Sequence, residues 1–199
     1  MQPTLSDSLL DYAGNSSPGR RRSHNEDALL CAPTLGLWAI ADGMGGHQCG
    51  EVASSLALVA LRQAVEDGEP LETAVHLANQ AVLEAATDDG MGTTLVAAHF
   101  NGSDFELAWV GDSRVYLWRD AKLAQLSQDH SYVQELIAKG ALSVDQARSH
   151  PHRNVVTQAR RFSALQGLDD VLTELAGRRD EFRELRHVPK DFVDRLKQT

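Results

Sequence analysis

The stretch that most limits how this chain can fold is an apolar run over 35–41 that ends at Asp42 and passes directly into Gly43-Met44-Gly45-Gly46-His47. An uncharged run of that length reads as a buried strand, and the glycines after it read as a sharp turn. The strand therefore delivers one carboxylate, Asp42, to its C-terminal mouth. Glycines at 43, 45 and 46 carry no side chain to cover the backbone, so the Gly43 carbonyl is open to a cation or to water bound to one. Residues 51–66 have helical character and are expected to stack behind this turn.

Length and composition set the frame. A chain of 199 residues, 42% of them apolar, suits one domain with a sizeable core. No uncharged apolar run approaches the roughly 18–20 residues that cross a bilayer, and the N-terminus has no basic-then-apolar leader pattern. The expectation is a soluble, cytoplasmic protein with no membrane partner. Cys31 and Cys49 form no CxxC pair and read as small buried hydrophobes rather than as a disulfide or a zinc site. A formal charge of −9 argues against nucleic acid as a partner and suits metal ions, with substrates read by a few local arginines.

Residues up to Pro18 are polar and say little. Arg20-Arg21-Arg22-Ser23-His24-Asn25-Glu26-Asp27 then leads into a second apolar run over 28–32. Alone, such a cluster reads as the solvated start of a strand. The runs over 28–32 and 35–41, however, read as a hairpin joined through Pro33 and Thr34, which brings Glu26, Asp27 and Asp42 within reach of one another. Like charges held together ask for a cation between them.

Downstream, helices are predicted over 48–66 and 71–86, separated by Asp67-Gly68-Glu69-Pro70. Val52, Ser55, Leu56, Val59 and Gln63 form the expected core stripe of the first, and Leu71, Val75, Ala78, Val82 and Ala85 that of the second. Residues 88–92 read as a loop, 93–100 as a fully buried strand, and Asn101-Gly102 as a hairpin turn into a strand over 105–110. Strands over 113–119 and 123–126 continue the meander, with turns at Gly111-Asp112 and Asp120-Ala121. Trp109-Val110-Gly111-Asp112-Ser113-Arg114 thus offers a further carboxylate at a strand end. Asp129 or Ser131 caps a helix over 132–139 that Gly140 stops. Antiparallel strands grouped between helix pairs are the pattern of an α+β layered sandwich.

Five of these pieces stand in a telling order: Arg22-x-x-Asn25-Glu26-Asp27, Ala41-Asp42-Gly43-Met44-Gly45-Gly46-His47, Gly92-Thr93-Thr94, Val110-Gly111-Asp112-Ser113-Arg114-Val115-Tyr116, and Asp129-His130-Ser131. Over roughly 19–158 the chain resembles the metal-dependent protein serine/threonine phosphatases of the PPM (PP2C) family in their compact bacterial form. The resemblance implies a PP2C-like four-layer αββα sandwich of two antiparallel sheets flanked by helices. It implies two Mn²⁺ or Mg²⁺ ions and a weaker third. Asp42 corresponds to the bridging aspartate and Gly43 to a carbonyl ligand; Glu26 and Asp27 match acidic positions that hold metal-bound waters, and Asp112 matches a carboxylate on the third metal. Arg22 matches the phosphate-binding arginine, whose planar fork takes two oxygens at once. Arg22 and Asp42 are the implied catalytic pair. The implied reaction is hydrolysis of phosphoserine or phosphothreonine on proteins by a metal-activated water, without a phosphoenzyme. The implied partners are phosphorylated proteins and a Ser/Thr kinase of the same cell.

The chain departs from that family near its end. Complete members continue past the equivalent of Asn154-Val155-Val156-Thr157-Gln158-Ala159 into strands with a Ser-Asp-Gly motif and a final Asp-Asn motif, whose aspartates complete one metal site. Neither motif occurs here. The expected division is a phosphatase domain over 1–159, incomplete, and a divergent helical segment over 160–199. That segment holds 9 basic and 8 acidic residues, against 10 and 20 before it, and Leu165, Leu168, Leu172 and Leu175 form a helical stripe ended by Gly177. Three readings follow: a phosphatase with a rearranged end and replacement ligands such as Asp169 or Asp170, a catalytically impaired module that binds phosphoproteins or a kinase, and a truncation or frameshift product.

Overall fold

The computed structural model describes residues 10–157 except 21, 46–48, 87–89, 102–103, 120 and 154. The expectations for Gly46, His47, the Asp88-Asp89 loop, Gly102, Asp120 and the helical segment over 160–199, including Asp169 and Asp170, lie outside the described residues.

The expected hairpin forms. Strands β1 (Asp27–Ala32) and β2 (Leu37–Met44) pair antiparallel through a 3-10 turn over Pro33–Leu35, with Asp27 directly opposite Asp42. Gly36 closes the turn at φ +64, a conformation that favours glycine, and its carbonyl accepts the Phe100 N–H at 2.7 Å. One expectation needs correction. Asp42 is not at the mouth of its strand, because Gly43 and Met44 go on to pair with Thr93 and Gly92 of β3 (Gly92–Thr93).

Strand β4 (Leu95–Asn101) lies between β2 and β5 (Asp104–Val110), which gives one antiparallel sheet in the order β1-β2-β4-β5 with β3 beside β2. The single buried strand expected over 93–100 is interrupted at Thr94, and its burial stops at Ala97. A two-stranded ladder follows, β6 (Tyr116–Arg119) with β7 (Lys122–Gln125). Residues 113–115, expected in a strand, form a loop instead.

Helices α1 (Cys49–Glu66) and α2 (Leu71–Ala85) cover one face of the sheet. The stripe of α2 is buried as expected except at Ala85. That of α1 is reversed: Val52 and Val59 are 50% and 65% exposed, and the buried face is Gly50, Ala53, Ser54, Ala57, Leu58, Leu61, Ala64 and Val65. The physical reason is close approach. A helix wedged against both a sheet and a second helix buries its small residues, so side-chain bulk misidentifies the inner face.

On the other face of the sheet, Val96, Leu107 and Trp109 pack under Leu126, with Val115 and Leu117 beside them. Antiparallel sheets stacked face to face with helices outside are the layered α+β arrangement anticipated above. Helices α3 (Tyr132–Ala138) and α4 (Val144–Arg148) end the described chain. Ser131, not Asp129, caps α3, and Ser143 with Gln146 closes a capping box on α4. Cys31 and Cys49 are free and only half-buried. Among the described residues, no helix is long and apolar enough to cross a membrane.

Candidate metal centre

Three chain segments meet at the Asp42 end of the sheet. The first enters β1. Arg22 donates Nη1 to Glu26 Oε2 at 2.7 Å and is otherwise largely in water, its side chain 66% exposed against 17% for Glu26. The Glu26 carbonyl accepts the Gly43 N–H at 3.1 Å and the Ser54 hydroxyl at 2.7 Å, which ties the start of β1 to both β2 and α1.

The second segment is β2. Directly opposed residues of an antiparallel pair point to the same face, so Asp27 and Asp42 bring their carboxyls together. Partial burial of its carboxyl raises Asp42 to about 6, with the charge of Asp27, a hydrogen bond shared with it, and the charge of Asp112 adding to the rise; Arg22 opposes it. Asp42 as a residue is nonetheless exposed, so water screens much of this and the like-charged neighbours are the part a cation would reverse. Gly43 and Gly50 lie back to back. A Cβ on Gly43 would strike the carbonyls of Gly50 and Glu26, and one on Gly50 would come within 2.9 Å of Glu26 Oε1.

The third segment is the turn after β5. Gly111 has φ +101, and a Cβ there would lie 2.6 Å from Thr94 Cγ2. The Ser113 hydroxyl is 2.8 Å from Thr94 Oγ1. Arg114 grips Asp129 in a bidentate pair, Nε to Oδ1 at 2.7 Å and Nη2 to Oδ2 at 2.5 Å, and these hydrogen bonds push its pKa further up. His130 accepts the Gly111 N–H on Nδ1 at 3.2 Å and donates its own backbone N–H to the Gly111 carbonyl at 2.8 Å. Burial lowers the His130 pKa, against the charge of Asp129, in keeping with a neutral ring that carries its proton on Nε2.

The structure thus pairs Arg22 with Glu26, ties Glu26 to Gly43 through its carbonyl, sets Asp27 opposite Asp42, and leaves Asp112 and Arg22 near enough for their charges to act on Asp42. Among the described residues, no group of three or more His, Cys, Asp or Glu stands close enough to hold a metal alone. The donors are all oxygen, and two opposed carboxyls with a third nearby fit a hard divalent cation that keeps several waters. Sequence reasoning assigned no role to Thr94, Ser113, Arg114 or His130, although each lies in one of the quoted motifs. A hydroxyl at the edge of an apolar run was the available signal for Thr94.

The family model described as protein phosphatase 2C matches residues 11–136. The serine/threonine protein phosphatase PstP of Mycobacterium tuberculosis is 41% identical over 162 residues, 76% of this chain and 31% of that protein. The serine/threonine phosphatase stp of Listeria welshimeri is 39% identical over 158 residues, 71% of this chain and 63% of that protein. The chain therefore spans less than two thirds of either relative. The crystal structure of the catalytic domain of PstP in complex with two manganese ions superposes with a TM-score of 0.65 at 38% identity, over 76% of this chain and 66% of that one. By family model, sequence and fold alike, the chain belongs to the protein phosphatase 2C family.

Proposed function

We propose that the chain is a divalent-metal-dependent protein phosphatase that hydrolyses phosphoserine and phosphothreonine on proteins, in the cytoplasm, opposing a Ser/Thr kinase of the same cell. The observation that carries this reading is the opposed pair Asp27 and Asp42, with Asp112 and Arg22 near enough to move the Asp42 pKa. Asp42, Asp27, Glu26, Asp112 and the Gly43 carbonyl are the groups that would hold Mn²⁺ or Mg²⁺, directly or through water. When bound, such ions supply Lewis-acid neutralisation of the phosphoryl oxygens and acidify the attacking water. Arg22, held at one end by Glu26, presents an exposed guanidinium that can take two phosphate oxygens and orient the phosphoryl group.

A second reading, a phosphoprotein- or kinase-binding module without turnover, is favoured by one observation: the described residues include no group of three or more His, Cys, Asp or Glu that could hold a metal ion. One experiment separates the two. Pure protein is assayed on para-nitrophenyl phosphate and on a phosphothreonine peptide, with Mn²⁺ titrated from none to millimolar and EDTA as control. The enzyme reading expects hydrolysis that rises with Mn²⁺ and is lost in Asp42→Ala. Folded protein with no turnover at any Mn²⁺ concentration would support the binding module, and full Mn²⁺-dependent activity in Asp42→Ala would refute the site.

A further inference from the structure

Thr94 ends the Gly92-Thr93-Thr94 motif and sits where β3 breaks into β4. Its residue is 1% exposed. Its Oγ1 accepts the Asp42 N–H at 3.1 Å and lies 2.8 Å from the Ser113 hydroxyl, while its backbone N–H donates to the Asp42 carbonyl at 2.9 Å. Its methyl fills the space that Gly111 leaves by having no Cβ. One buried side chain therefore touches both the strand that carries Asp42 and the turn that carries Asp112.

We propose that Thr94 is a positioning residue for the cation site at Asp42, tying that strand to the Asp112 turn through Ser113 and so setting how tightly the site binds a divalent ion. The proposal rests on the metal-dependent reading above. Carboxylates brought together without a cation repel one another, so their spacing has to be imposed by the groups behind them. Thr94 does this from a position where its hydroxyl cannot turn to water instead. Groups behind a metal site that orient its ligands typically alter metal affinity by about 10–100-fold when lost.

The test compares the full chain with Thr94→Val, Thr94→Ser, Ser113→Ala and Asp42→Ala. Mn²⁺ affinity is measured by calorimetry and by electron paramagnetic resonance of free Mn²⁺, and exchange of the Asp42 amide by NMR on metal-free protein. Valine keeps the branched shape and removes the hydroxyl. The expected result is Mn²⁺ binding at least about tenfold weaker and faster exchange of the Asp42 amide in Thr94→Val, with both restored in Thr94→Ser. Ser113→Ala, which leaves the Asp42 bond intact, is expected to weaken Mn²⁺ binding while the Asp42 amide stays protected. Unchanged Mn²⁺ affinity in folded Thr94→Val would overturn the proposal, as would failure of Thr94→Ser to restore it. If Thr94→Val does not fold, unchanged affinity in Ser113→Ala overturns it. Binding that disappears in Asp42→Ala but ignores Thr94→Val refutes this proposal alone, whereas no Mn²⁺ binding by the unsubstituted chain refutes the metal reading with it.

Discussion

Gly111→Ala tests how the Asp112 turn is held. At φ +101 any side chain is strained, at a cost of about 1–2 kcal/mol. The new methyl would also lie 2.6 Å from Thr94 Cγ2 and 2.8 Å from Thr94 Cβ, in a fully buried place, where overpacking costs about 1–3 kcal/mol. Together these give about 2–5 kcal/mol, a large fraction of the roughly 5–15 kcal/mol that holds a domain folded. For a chain of this size a mid-range loss lowers Tm by roughly 10 °C. Urea unfolding followed by tryptophan fluorescence reads the change, because Trp109 lies beside this turn with Nε1 bonded to the Gln128 carbonyl at 2.9 Å. The two costs separate in the double variant Gly111→Ala/Thr94→Ser, which removes Cγ2 and keeps the hydroxyl. It should regain part of the packing loss and none of the backbone loss, measured against Thr94→Ser alone. A Gly111→Ala protein within about 0.5 kcal/mol of the parent would show that the turn is not gripped as described.

Two further outcomes are expected. Leu61→Ala, at a fully buried position of α1, should cost about 2–5 kcal/mol, while Val59→Ser, 65% exposed, should stay within about 0.5 kcal/mol; equal effects in urea unfolding would contradict the inner face assigned to α1. In metal-free protein Asp42 has a folded pKa of about 6 against 3.8 for the free group, so the folded state binds the extra proton between those values and stability falls as pH rises through that window. Because the residue is exposed, the loss should be on the order of 1 kcal/mol rather than the full value of the shift. Thermal melts of the parent against Asp42→Asn at pH 4, 5, 6 and 7, in EDTA, should show the parent losing ground to the variant as pH rises; a constant difference would mean that Asp42 is not perturbed.

What was legible in the sequence was whatever depends on alternation and on chain order. The β1–β2 hairpin and its consequence, Asp27 facing Asp42, followed from two apolar runs and a proline between them. The antiparallel pairing of β4 with β5 followed from a turn signal in the same way. What was not legible depends on distance between backbones. The inner face of α1 looked like its outer face because Ala53, Ala57 and Ala64 are less hydrophobic by bulk than Val52 and Val59, and only the sheet beneath decides which side can come close. The break at Thr94 was invisible for a related reason, since a β-branched residue in an apolar run reads as strand and the hydroxyl it meets lies 19 residues off, at Ser113.

These two blind spots share one physical origin, and it bears on the site. The small face of α1 lets its first described turn reach β2 so closely that Gly43 and Gly50 meet backbone to backbone, and Ser54 from the next turn takes the Glu26 carbonyl. Glu26 is thereby fixed beside the start of a helix, where backbone N–H groups favour negative charge. On the opposite side of Asp42, Thr94 and Gly111 make the same kind of close contact, with a missing Cβ accommodating a neighbour's methyl. The carboxyls at this end of the sheet are therefore crowded by glycines and small side chains behind them rather than drawn together by one another. A chain with bulkier residues at Gly43, Gly50 and Gly111 could preserve every acidic residue of the motif and still hold those carboxyls too far apart to share a cation.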